Sequence, residues 1–143
     1  MKNREQWLQA AVDLISSKIF KPLGHKVPTV KVSIGFGGSG RDSKVLGVCW
    51  DAKAAEDNVA QIYISPIEAE SSALMSTLVH ELIHATIGND KGHGPMFRKV
   101  ALSVGLTGKM TATTASDELV KRLDEIKVKL GPIPHAKLNL NLR

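Results

Sequence analysis

The chain has one cysteine, Cys49, among its 143 residues. An internal disulfide and a CxxC zinc ribbon are therefore excluded, and any metal must be held by histidines and carboxylates. Aromatic residues make up only 4% of the sequence, few for an interface built on stacking bases. No run approaches the roughly 18 apolar residues that cross a bilayer, and Glu5, Gln6, Gln9 and Asp13 interrupt the N-terminus before a signal-peptide core can form. A cytoplasmic protein with no membrane partner is expected, and a single cysteine fits that reducing compartment. Acids are missing between Lys18 and Arg41, where five basic residues occur, and again after Glu125. Between Asp51 and Glu70 the balance reverses. With a net charge of +5, this asymmetry allows contact with DNA through a basic surface. Solvated lysines that keep a small monomer soluble account for it equally well.

What is present is ordinary globular usage, 43% hydrophobic and 23% charged, at a length suited to one core. Trp7, Leu8, Ala11, Val12, Ile15 and Ile19 recur at three- and four-residue spacing, predicting an amphipathic helix over about residues 3–20 that Pro22 and Gly24 end. From Thr29 the period becomes two, with Val30, Val32, Ile34 and Phe36 on one face of a strand. Apolar runs at 45–50 and 60–65 predict two more strands, in a small, mainly antiparallel sheet. Pro66 opens a long helix predicted over 67–87, in which Leu74, Leu78 and Leu82 form one apolar row and Met75, Val79 and Ile83 another. Two rows imply a central, buried helix. A further helix is expected from Pro95 to Gly105, with Phe97, Val100, Ala101 and Val104 on one face. A last one follows the N-cap Ser116, with Leu119, Leu123, Ile126 and Leu130 inward as far as Gly131. The expected fold is thus α+β: one domain over residues 1–131 and an extended tail over 132–143.

The chemistry lies in His80-Glu81-Leu82-Ile83-His84, an HExxH sequence inside the long helix. Spacing of four puts both imidazoles on one face, about a turn apart, where two nitrogens can converge on one ion with Glu81 bordering the site. Buried without partners, these groups would cost roughly 1–3 kcal/mol each, and a metal pairs them all. Ala73, Thr77 and Gly88 on that face are small and would leave room for substrate. A catalytic zinc takes three protein ligands. In the HExxHxxGxxH pattern of metzincins, positions 87 and 90 would be Gly and His, but they are Ile87 and Asp90. His93 is favoured as third ligand, because five residues at about 3.3 Å each can return the chain to the helix after Gly88. Asp90 is the alternative, and neither His25 nor His135 has a spacing that links it to the site.

The segment 78–84, followed by Gly92-His93-Gly94-Pro95-Met96-Phe97, resembles the SprT-like family, which includes the Spartan proteases. There HExxH is followed by a third histidine in an "HG, two residues, F" pattern. Residues 61–66 are similar to the strand that enters that family's active-site helix. The likeness is close over about 45–108. It implies a minimal zincin-like peptidase domain with zinc held by His80, His84 and His93, and with Glu81 as catalytic base. It also implies protein or peptide substrates, often bound or crosslinked to DNA, in a bacterial cell or phage-infected host. Many members continue into a cysteine-rich zinc ribbon. Here residues 132–138 resemble the linker before that ribbon, and the sequence stops without it.

The expected reaction is peptide-bond hydrolysis, with Glu81 taking a proton from water that zinc acidifies and giving it to the leaving amine. If the strand carrying Tyr63 were a sheet edge, an extended substrate could pair with it, although an ordinary strand aromatic is the simpler reading. Gly35, Gly37 and Gly40 satisfy GxGxxG, but a strand follows where a dinucleotide fold needs a helix, so a hairpin loop is expected. Ser39, Ser43 and Cys49 lack any signal of a nucleophile. A zinc-stabilised module that binds DNA or protein without catalysis, and a zinc hydrolase of non-peptide substrates, are the competing readings.

Overall fold

The computed structural model describes residues 2–38, 40 and 44–142. The first apolar stripe forms α1 (Arg4–Ile15), which begins in a capping box. Asn3 Oδ1 accepts the Gln6 N–H at 2.8 Å, and Gln6 Oε1 accepts the Asn3 N–H at 2.9 Å. Beyond Ile15 the helix widens into a π-turn at Ser16–Phe20 and a 3-10 turn at Lys21–Leu23, and it stops at Gly24 in the left-handed region. Its inner face is fully buried from Trp7 to Phe20.

Three strands, β1 (Val30–Ile34), β2 (Gly47–Trp50) and β3 (Ala60–Ile64), form a sheet in the order β1-β3-β2. The architecture is α+β as expected, but the sheet is mixed. β2 pairs antiparallel with β3, whereas β1 runs parallel to it. The connection from β1 to β2 is therefore no hairpin, because β3 is inserted between the strands that it joins. Gly37 of this connection lies over Tyr63, where an added Cβ would stand 2.8 Å from the Tyr63 Cβ, and its carbonyl accepts the Trp50 Nε1–H at 2.9 Å. Ser39 and Ser43 lie outside the described residues. β3 is the central strand, so Tyr63 sits on no edge. The strand with one unpaired side next to the long helix is β2.

That helix, α2 (Ser71–Ile87), is not opened by Pro66 and starts four residues later than expected. Carboxylates delay it: Glu68 accepts the N–H groups of Ala69 and Glu70, and Glu70 then caps the helix by accepting the Ala73 N–H. Leu74, Met75, Leu78, Val79, Leu82 and Ile83 are completely buried, so both apolar rows face the core. α3 (Pro95–Val104) and α4 (Asp117–Leu130) follow with Pro95 in the first turn and Ser116 as N-cap, at the positions expected. Between them lies a hairpin missed by the sequence reading, β4 (Leu106–Lys109) and β5 (Ala112–Ala115).

The segment after Gly131 has no regular element but is tied down. Trp7 Nε1–H donates to the Gly131 carbonyl at 3.0 Å, and the Ile133 N–H donates to Ser71 Oγ at 3.1 Å. Among the described residues, no helix is long and apolar enough to cross a membrane.

Candidate metal centre

His80 and His84 leave α2 one turn apart and half-buried, and Glu81 between them is 6% exposed. The chain leaves the helix at Gly88, makes one 3-10 turn at Asn89–Lys91 and returns at Gly92. His93 then points back at the helix, with its Nε2 3.3 Å from that of His80 and 3.1 Å from that of His84. These three residues form the one cluster of potential metal ligands among the described residues, and Asp90 is not in it. Asp90 is exposed and faces Lys91 at 3.6 Å.

The spacing tests whether an ion fits. Zinc–nitrogen bonds of about 2.0–2.1 Å at tetrahedral angles place ligand atoms about 3.3–3.4 Å apart. Both nitrogen separations are close to that edge. Ring orientation agrees: His80 Nδ1 is 2.7 Å from Thr113 Oγ1, which can fix Nδ1 as the protonated nitrogen and leave Nε2 bare. Burial, and then the neighbouring imidazoles His84 and His93, hold His80 down at about pKa 4. Burial and then His93 do the same for His84. Both are thus neutral at pH 7, the form that binds metal. Below the three rings lies Phe97, completely buried, with its ring centre 4.9, 4.7 and 4.9 Å from those of His80, His84 and His93. His93 stands two residues before α3 and Phe97 lies in its first turn, so ligand and aromatic platform come from one short stretch of chain.

The histidines and Glu81 open on a cleft of about 600 Å³ walled by residues 44–49 on one side and 111–113 on the other. Its room beside the helix arises at Gly47 of β2. A Cβ there would stand 2.7 Å from Thr77 Cγ2 and 3.0 Å from both Cγ and Oε2 of Glu81. Thr77 lines the cleft as its small size suggested, whereas Ala73 and Gly88 do not. Burial raises the Glu81 pKa to about 7, the range in which a carboxylate exchanges protons efficiently near neutrality. Cys49 also lines the cleft, but burial, Glu81 and Asp51 push its thiol up to about 12, so it offers no thiolate.

Asn89 joins two walls of the site. Its Nδ2–H donates to the Cys49 carbonyl at 2.8 Å, and its backbone N–H donates to Asp51 Oδ2 at 3.3 Å. The turn that presents His93 is thereby bonded to the end of β2. Sequence reading missed Thr113, Gly47 and Asn89. Thr113 had one signal, the alternation of a Thr-rich run between Gly105 and Ser116.

Three convergent imidazoles beside a buried glutamate, on one helix of an α+β domain, define a metallohydrolase-like centre. The family model described as the SprT-like family matches residues 8–117, and the chain belongs to that family. No curated protein and no solved structure matches it.

Proposed function

We propose that the protein is a zinc-dependent endopeptidase in which His80, His84 and His93 hold the metal and Glu81 is the catalytic base. The observation that carries this reading is the convergence of three imidazoles, with His93 Nε2 at near-tetrahedral spacing from both other Nε2 atoms, beside a carboxyl group buried on the floor of an open cleft. A zinc ion held there would supply Lewis acidity, polarising a substrate carbonyl and drawing the pKa of adjacent water toward about 7.

The chain's own residues do the rest. Glu81, held against Gly47, takes the proton from the attacking water and returns it to the departing amine. Thr113 holds the His80 ring in one tautomer. The unpaired side of β2 offers N–H and C=O groups to a substrate in extended form, which is the role first considered for the strand of Tyr63. Family resemblance extends the substrate class to proteins associated with DNA, with DNA itself as a possible partner of the basic surface.

The test is paired. Glu81→Gln is expected to retain zinc and to lose cleavage of a loosely folded protein, with or without single-stranded DNA, while His93→Ala loses zinc. Equal cleavage by Glu81→Gln and the parent would overturn the assignment of the base. A zinc-loaded parent that cleaves nothing would favour the silent binding module, in which Glu81 has no task.

A further inference from the structure

The cleft does not end at the histidines. Lys44 and Leu46, on its wall, also line a second, open cavity of about 750 Å³, bordered further by Ile67 and residues 137–141. Its lining is divided by chemistry. Leu46, Ile67, Leu138 and Leu140 supply an apolar surface, Asn139 and Asn141 neutral polar groups, and Lys44 and Lys137 charge, with no acid among the described residues that line it. Among the described residues, neither lysine enters an ion pair.

The wall formed by 137–141 is held in place. The Leu138 N–H donates to the Pro66 carbonyl at 2.8 Å. Arg4 can only donate, so its Nη1 at 3.1 Å makes His135 Nδ1 the acceptor, and His135 Nε2–H then donates to the same Pro66 carbonyl at 3.1 Å. Buried Ile133 anchors the segment just before them. The two lysines therefore belong to opposite sides of one cavity whose position relative to the cleft is set by the fold.

Distance along the chain leading into β2 sets what would reach it. Gly47 lies against Glu81 and marks the level of the reacting bond. Lys44 is three residues before Gly47, just outside β2, and so lies at most about 10–11 Å away at roughly 3.3–3.6 Å per extended residue. On the peptidase reading, from which this inference starts, we propose that the second cavity is a substrate subsite that selects an acidic side chain about three residues from the cleaved bond. The methylenes of glutamate would lie on the leucines while the carboxylate meets Lys44 and Lys137.

Exposed ion pairs are weak, so two of them give a preference of about 3- to 10-fold. The zinc-loaded protein would be offered peptides of one sequence carrying Glu, Gln or Lys at each position around the cleaved bond, with products mapped by mass spectrometry. Glu is expected to exceed Gln in kcat/KM by that factor at two to four residues on one side. Lys44→Glu combined with Lys137→Glu should invert the order in favour of Lys, while Lys121→Glu on the exposed face of α4 leaves the order unchanged. Equal rates for all three peptides, or a Glu preference that survives the double substitution, would overturn the subsite.

Binding separates this inference from the peptidase reading. Zinc-loaded Glu81→Gln should bind the Glu peptide more tightly than the Gln peptide by fluorescence anisotropy, even if the parent cleaves neither. Equal binding of the two peptides, together with lysine-dependent binding of a single-stranded oligonucleotide, would assign the cavity to nucleic acid instead.

Discussion

Replacing Gly47 by alanine tests the close approach of β2 to α2. The backbone there needs no left-handed conformation, so the substitution acts through contact alone. The new methyl would begin 2.7 Å from Thr77 Cγ2 and 3.0 Å from Glu81 Cγ and Oε2, against an ordinary carbon–carbon contact of about 3.5–4.0 Å. Relief requires the strand to retreat by up to about 1 Å or the Glu81 carboxyl to swing away. Overpacking of this kind costs about 1–3 kcal/mol, which for a chain of this size lowers Tm by about 3–12 °C. Displacing a reacting group by about 1 Å costs on the order of 100-fold in rate. Thermal unfolding and cleavage of a loosely folded protein, both with zinc bound, measure the two effects. Zinc occupancy should hold, because no histidine is touched. Adding Thr77→Ser removes the closest contact and should restore part of the stability, but not the rate, since both Glu81 contacts remain. Parental Tm and parental rate in Gly47→Ala would refute the argument that this glycine makes room for the base.

Thr113→Ala removes the partner of His80 Nδ1, and zinc affinity measured by chelator competition should fall about 10- to 100-fold, with Thr113→Ser close to the parent; equal affinity in all three would dismiss the hairpin from the metal centre. Without metal, the folded protein holds His80 and His84 at about pKa 4 against an ordinary 6.5, so their contribution to stability is complete above 6.5 and is lost as pH falls toward 4. Glu81, raised from 4.5 to about 7, works the other way and loses its contribution as pH rises through that range. Two groups outweigh one, so urea unfolding in chelator should show stability increasing from pH 5 to 6.5, and more steeply in Glu81→Gln; a shallower rise in that variant would contradict the buried, proton-binding state of Glu81.

Helices were legible because their signals are local. The stripe from Trp7 to Ile19, the two rows of α2, and the stops at Gly24, Gly88 and Gly105 each lie within a few residues of what they specify. Strand pairing is not local in this way. Ala60, Ile62 and Ile64 alternate identically whether β3 is central or at an edge, so neither its place between β1 and β2 nor the parallel pairing could be read from its pattern. The same division runs through the site. His80 and His84 share one helical face by arithmetic, with Glu81 bordering it, and His93 needed only the reach of a short turn. Thr113 arrives from 33 residues beyond His80, and Gly47 from 34 residues before Glu81, brought there by packing that no window of sequence contains.

One residue, Asn89, ties the turn of His93 to Cys49 of β2 through its side-chain amide and to Asp51 just beyond through its backbone N–H. On the peptidase reading, strand edge and third ligand are joined through these bonds, and their occupancies would be linked equilibria. A peptide that straightened the edge would shift the turn, and an ion that drew His93 inward would pull on the strand. By reciprocity, whatever factor the ion adds to the affinity for peptide, the peptide adds to the affinity for the ion. On the peptidase reading, substrate would then serve as a partial guard against metal loss, with Asn89 as the coupling link.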